Sequence, residues 1–167
     1  AGLASALAIK GVWRIDMTPA DVRAAVAASE RALALEPYMP DAHLARAWLM
    51  SMQGRGEEAA RDFDEAIRLN PTAAAWNGRC WTRAIVGELR PALADCAESL
   101  RLGPNAVAFE ARGLAYLKLG EWKAAISDFD AALRLQPKQA AALYGRSIAY
   151  AGDGMADRAD ADSAAAK

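Results

Sequence analysis

Residues 106–137 read AVAFEARGLAYLKLGEWKAAISDFDAALRLQP, and this stretch decides the fold. Its apolar and small residues fall at Phe109, Gly113, Ala115, Tyr116 and Leu119, then at Trp122, Ala125, Ile126, Phe129, Ala132 and Leu133. Both sets keep the three-and-four spacing of an amphipathic helix. Gly120 stands where the first helix must stop, and Pro137 closes the second. The stretch is therefore two helices joined by a tight turn. Neither helix can bury its apolar stripe alone, so neighbouring copies must cover it.

Such copies are present on both sides. Closing prolines recur at Pro37, Pro71, Pro104 and Pro137, 34, 33 and 33 residues apart. Turn glycines recur at Gly54, Gly87, Gly120 and Gly154 with spacings of 33, 33 and 34. Small residues return where two helices must approach, at Ala59, Ala92, Ala125 and Ala159. Large ones fill the gaps between them, Phe63 and Phe129 in one register and Trp76 and Phe109 in another.

Composition agrees with helices. Of 167 residues, 54% are hydrophobic, alanine is abundant and β-branched runs are few. The formal net charge is −1, with both signs interspersed. There is no basic stripe for a phosphate backbone, so nucleic acid is not an expected partner. No apolar run approaches the length that spans a bilayer, so no membrane insertion is expected.

Upstream of the clear repeats the pattern loosens. Leu3 to Asp16 reads as a helix carrying Leu3, Leu7, Val12 and Ile15, and Trp13 falls where later copies place a small residue. Thr18 can cap the next helix, Pro19 suits its first position, and Asp21 favours its first turn. Terminal repeats are commonly atypical because they close a stack. The chain starts at Ala1 without an initiator methionine, which reads as a processed or excised product. AGLASALA is expected to start a helix, since no charged segment precedes it as in a signal sequence.

Phe109, Gly113, Tyr116, Gly120, Ala125, Phe129, Ala132 and Pro137 resemble, in order, the tetratricopeptide repeat of bacterial-type proteins. The resemblance covers residues 40–162 well and the first 39 loosely. It implies an all-α, right-handed superhelical solenoid of about five antiparallel hairpins, ten helices in one domain over 1–167. The divisions are an atypical hairpin over 1–39 and repeats over 40–72, 73–105, 106–139 and 140–167. Departures from the pattern are local: Cys80 replaces the small residue and Cys96 the phenylalanine of the third hairpin, and His43 takes an aromatic position in the second. The fifth hairpin has no closing proline, so a truncated or frayed last helix is expected.

Arginine recurs at Arg46, Arg79, Arg112 and Arg146, and aspartate 16 residues later at Asp62, Asp95, Asp128 and Asp162. Four arginines in register could form a basic ladder for an acidic ligand. The favoured reading is a repeated bidentate ion pair between the two helices of each hairpin. Cys80 and Cys96 are the only cysteines, and the resemblance puts them face to face across one hairpin. A metal site is not expected from two thiols and a distant His43. Buried thiols and a disulfide both remain open, the disulfide slightly favoured. A disulfide would imply an oxidising compartment such as the periplasm; otherwise the cytoplasm is expected. His43, the sole histidine, has no neighbours suited to acid–base or nucleophilic catalysis, so it is expected to pack. No phosphate loop is present. No cofactor, no metal and no catalysis are expected of this chain.

The resemblance also implies a concave face lined by the first helix of each hairpin. The positions it assigns there include Leu44, Trp48, Met52, Asn77, Trp81, Ile85, Glu110, Leu114, Tyr144 and Ile148. Trp48, Trp81, Leu114 and Ile148 form an apolar ladder, and the lysine–asparagine clamp that some relatives use for a C-terminal carboxylate is absent. The expected function is a protein-interaction scaffold taking an apolar peptide or helix. The competing reading is that these tryptophans only pack between first helices. Two further alternatives are an accessory segment of a larger enzyme, with a hydrolase or protease domain upstream, and a structural module that self-associates through its last hairpin.

Overall fold

A computed structural model describes residues 18–167, all of the regular structure in them helical. The helix expected over Leu3–Asp16, with Trp13, lies outside the described residues. Among the described residues the elements are α1 (Pro19–Leu35), α2 (Pro40–Met52), α3 (Gly56–Leu69), α4 (Ala73–Val86) and α5 (Leu89–Leu102). They continue as α6 (Ala106–Leu119), α7 (Trp122–Leu135), α8 (Ala140–Gly152) and α9 (Ala156–Ala165). Four hairpins follow one another, α2–α3, α4–α5, α6–α7 and α8–α9. Each stacks on the next: α3 packs on α4, α5 on α6 and α7 on α8, while α2, α4, α6 and α8 also touch in series. The result is an all-α superhelical solenoid.

Local chemistry sets the ends of the elements. Thr18 and Asp21 form a reciprocal capping box at the start of α1, with Pro19 in the first helical turn. Thr72 caps α4 through Ala75 N at 3.2 Å, and Asn105 caps α6 through Ala108 N at 2.7 Å. Gly54, Gly87, Gly120 and Gly154 have φ of +77°, +101°, +75° and +80°, a region that residues with a Cβ avoid. After Gly120, the Glu121 N–H donates to Tyr116 O at 3.0 Å and the Gly120 N–H to Leu117 O at 3.1 Å, which closes the turn as a Schellman motif. Long-reach bonds of the same kind join Arg55 N to Met50 O, Glu88 N to Arg83 O, and Met155 N to Tyr150 O.

The core is built from alanines facing a few large rings. Ala59, Ala92 and Ala125 are fully buried, and Ala159 nearly so. Phe63 and Phe129 are among the largest fully buried side chains. Phe129 lies between two glycines: a Cβ on Gly113 would stand 3.1 Å from its ring, and one on Gly145 of the next hairpin would collide with it. Phe63 is seated on Gly78 of the next hairpin in the same way. In the third hairpin Cys96 takes the ring's place, and the position equivalent to Gly78 and Gly145 becomes Ala111, buried in a cluster with both cysteines. A smaller side chain on one hairpin thus permits a methyl group on the next.

The last helix, α9, has 10 residues against 14 in α3, α5 and α7.

Candidate peptide-binding face

The recurring arginines and aspartates form a ladder of paired charges between the helices of each hairpin. Arg46 donates from Nε and Nη2 to Asp62 at 2.6 and 2.6 Å. Arg79 does so to Asp95 at 2.9 and 2.7 Å, Arg112 to Asp128 at 2.7 and 2.7 Å, and Arg146 to Asp162 at 2.6 and 2.7 Å. The Asp128 hydrogen bond raises the Arg112 guanidinium above its ordinary value against the opposing effect of burial. Aromatic rings back some of these arginines: Trp76 lies 4.8 Å from the Arg79 guanidinium carbon and Phe109 5.7 Å from that of Arg112.

Several partners in this ladder escaped the sequence reading. Asp64 accepts from Arg79 Nη1 at 2.5 Å and Asp130 from Arg146 Nη1 at 2.5 Å, so two arginines also tie one hairpin to the next. Their signal was a carboxylate 15 or 16 residues before the arginine; Arg112 of the fourth hairpin has Ala97 of the third at that offset and lacks the tie. Arg83 adds a second arginine to Asp95 at 2.7 Å. His43 is buried, with Nδ1 3.2 Å from Asp62 Oδ1 and Nε2 3.0 Å from Pro37 O. It links the loop after α1 to the Arg46–Asp62 pair and packs as a polar member of the core.

Cys80 and Cys96 face each other across α4 and α5, with Sγ atoms 1.95 Å apart and Cα atoms 5.3 Å apart. Both are fully buried. This is disulfide distance.

The residues that the resemblance assigns to the concave face differ in exposure. Leu44 and Trp48 rest half-buried on the cluster of Ala47, Met50, Ala59 and Phe63. The rings of Trp48 and Phe63 meet edge to face at 5.4 Å and 87°. Trp81 and Leu114 are half-buried on the cluster around the two cysteines. Met52 is half-buried and joins Val22 and Val26 of α1 in lining a cleft of about 760 Å³. Ile85, Tyr144 and Ile148 are exposed, at 38%, 51% and 39%.

Asn77 and Glu110 do not share this accessibility. They are 7% and 3% exposed. Glu110 accepts a hydrogen bond from the Gln139 side chain, and Asn77 Oδ1 is buried with no partner. Lys118, the cation of this face, donates from Nζ to Ala84 O at 2.7 Å and Ile85 O at 2.9 Å. It reaches across to the last carbonyls of α4, where the helix leaves acceptors unpaired and favours positive charge. Burial lowers its ammonium below the ordinary value.

Among the described residues no group of three or more His, Cys, Asp or Glu is placed to hold a metal ion. No helix among them is long and apolar enough to cross a membrane.

Comparison with known proteins agrees with this architecture. Residues 40–73 match the tetratricopeptide repeat and residues 113–154 match the TPR repeat. No curated protein matches the chain. Among solved structures, PilW, described as a widely conserved type IV pilus biogenesis factor, superposes with a TM-score of 0.82 at 21% identity, covering 98% of this chain and 74% of its own. MamA gives 0.75 at 21% identity, covering 91% and 94%. YrrB, described as a TPR protein with an unusual peptide-binding site, gives 0.68 at 19% identity, covering 88% and 77%. At these identities the likeness is one of fold. With repeats in phase, glycine turns of one geometry and two family matches along the stack, this chain carries tetratricopeptide-type repeats over residues 40–73 and 113–154 in an all-α superhelical fold.

Proposed function

We propose that the chain is a protein-interaction scaffold whose inner helices α2, α4, α6 and α8 take an apolar peptide or helix from a partner protein. The observation that supports this best is the row of apolar side chains left partly open along those helices. Trp48, Trp81 and Leu114 each keep one side on the core and the other accessible, and Ile85, Tyr144 and Ile148 extend the row. Large rings anchored on one side are the side chains that most often carry binding energy. Asn77, Glu110 and Lys118 lie on the same helices but are engaged or covered, so the accessible contact chemistry is mainly apolar.

The test is affinity capture with the wild-type chain and with Trp81→Ala and Ile148→Ala, each checked for unchanged helicity and melting. Loss of the same captured proteins in both variants supports the groove. Recovery of an unchanged set from both folded variants sinks it.

A further inference from the structure

Among the described residues Glu110, on α6, is the most deeply buried acid outside the ion-pair ladder, 3% exposed. Its Oε2 accepts from Nε2 of Gln139, the residue at the N-cap position of α8. The contact therefore spans the seam between the fourth and fifth hairpins. Gln139 Oε1 is buried there and has no hydrogen-bond partner.

Nearby charges are committed elsewhere. Arg79 and Arg83 on α4 hold Asp95 on α5, Arg112 on α6 holds Asp128 on α7, and Arg146 on α8 holds Asp130 and Asp162. Lys118 is bound to carbonyls of α4. Tyr116 on α6 and Tyr144 and Tyr150 on α8 are the phenols of the two joined helices. Among the described residues no cation pairs with Glu110. Burial pushes its carboxyl up to about 7, against the opposing pull of the Gln139 amide.

Hydrogen-bond complementarity then gives the two protonation states different structures. A neutral carboxyl has one O–H donor and one acceptor, matching the acceptor and donor of a primary amide, so the two groups can close a ring of two hydrogen bonds. An ionised carboxylate only accepts, and leaves the buried Gln139 Oε1 with no donor. We propose that Glu110 and Gln139 form a proton-controlled joint that holds α8 on α6 when Glu110 is neutral and loosens when it ionises. Leu44, Asn77 and Tyr144 occupy the equivalent places in the other hairpins, so this seam alone carries an acid at that position. The joint does not depend on what the inner face binds.

Two measurements on the whole chain test it. Side-chain carboxyl carbon NMR, with Glu110 assigned through Glu110→Gln, should show a midpoint near 7; a midpoint near 4.5 overturns the proposal. Hydrogen exchange of α8 and α9, corrected for the intrinsic rate, should lose about tenfold protection relative to α2 and α3 between pH 6 and pH 8. Glu110→Gln should show no such loss, and a loss equal to wild type in that variant also overturns it. Should Glu110→Gln not fold, Glu110→Leu replaces it, because the second hairpin carries Leu44 at that place; the wild-type titration decides independently.

Discussion

Cys80 stands to Cys96 as Gly113 stands to Phe129. In the fourth hairpin a ring fills the space between the helices and needs a glycine opposite it; in the third, two sulfurs 1.95 Å apart span the same gap. The pair is fully buried and closes a loop whose ends are 16 residues apart in sequence. Without the bond this hairpin has neither ring nor staple in its middle. Cys80→Ala with Cys96→Ala is expected to lower stability by about 3 kcal/mol. Urea unfolding with and without reductant measures it. Two reactive thiols in unfolded, unreduced protein would show that the bond does not form.

The seat of Phe129 gives a second expectation. Gly145→Ala puts a methyl group against that ring, as Gly78→Ala does against Phe63. Each should cost about 1–3 kcal/mol by overpacking. At Ala111, which faces Cys96 in the equivalent register, the methyl group already fits. Thermal melts of the two glycine variants measure the cost; melting temperatures equal to wild type would contradict it.

Breaking the charge ladder should cost most where one carboxylate serves two arginines. Asp95→Ala strands both Arg79 and Arg83, whereas Asp128→Ala strands Arg112 alone. Removing one partner of a buried pair costs about 3–5 kcal/mol, and Asp95→Ala is expected at the upper end. An Arg112/Asp128 double-mutant cycle should give a coupling clearly different from zero. Additive single effects would count against pairing.

Overall stability should fall as pH rises through neutrality. Glu110 ionises at about 7 in the fold and near its ordinary 4.5 when unfolded. Between those values the native state holds the extra proton, so its contribution is complete below 4.5 and lost by the time pH passes 7. With about 1.4 kcal/mol per unit, the loss is on the order of 3 kcal/mol. Glu110→Gln should flatten this part of the profile in urea titrations at pH 5, 6, 7 and 8. Parallel profiles for the two proteins would rule this out.

Lys118 should act on stability rather than on recognition. Its ammonium takes up two of the carbonyls that α4 leaves open at its end. Lys118→Met keeps the aliphatic stem and removes those bonds, at an expected cost of about 1.5–3 kcal/mol. Capture of partner proteins should not change in the folded variant; loss of capture would assign Lys118 to the ligand.

Periodicity made the scaffold legible. Glycine turns, closing prolines, helix-facing alanines and the 16-residue step from arginine to aspartate all follow from a repeated hairpin, so one good copy at 106–137 indexes the others. The proposed binding face was less legible because its positions are equivalent in sequence and unequal in space. Glu110 and Tyr144 share a repeat position, yet one is 3% exposed and the other is 51% exposed. The role of Lys118 was hidden for the same reason, since its acceptors lie 33 and 34 residues away on another hairpin.

By itself, then, the sequence determined the class of fold, the phase of its hairpins and the repeated arginine–aspartate pairs within them, because those contacts obey fixed offsets along the chain. The tertiary structure decided everything set between hairpins: which inner residues remain open, where Lys118 and Gln139 reach, and that Asp64 and Asp130 tie neighbours together. Cys80 and Cys96 lie on that boundary. Their offset announced a facing pair, and only the distance between helices brought the sulfurs to bonding range.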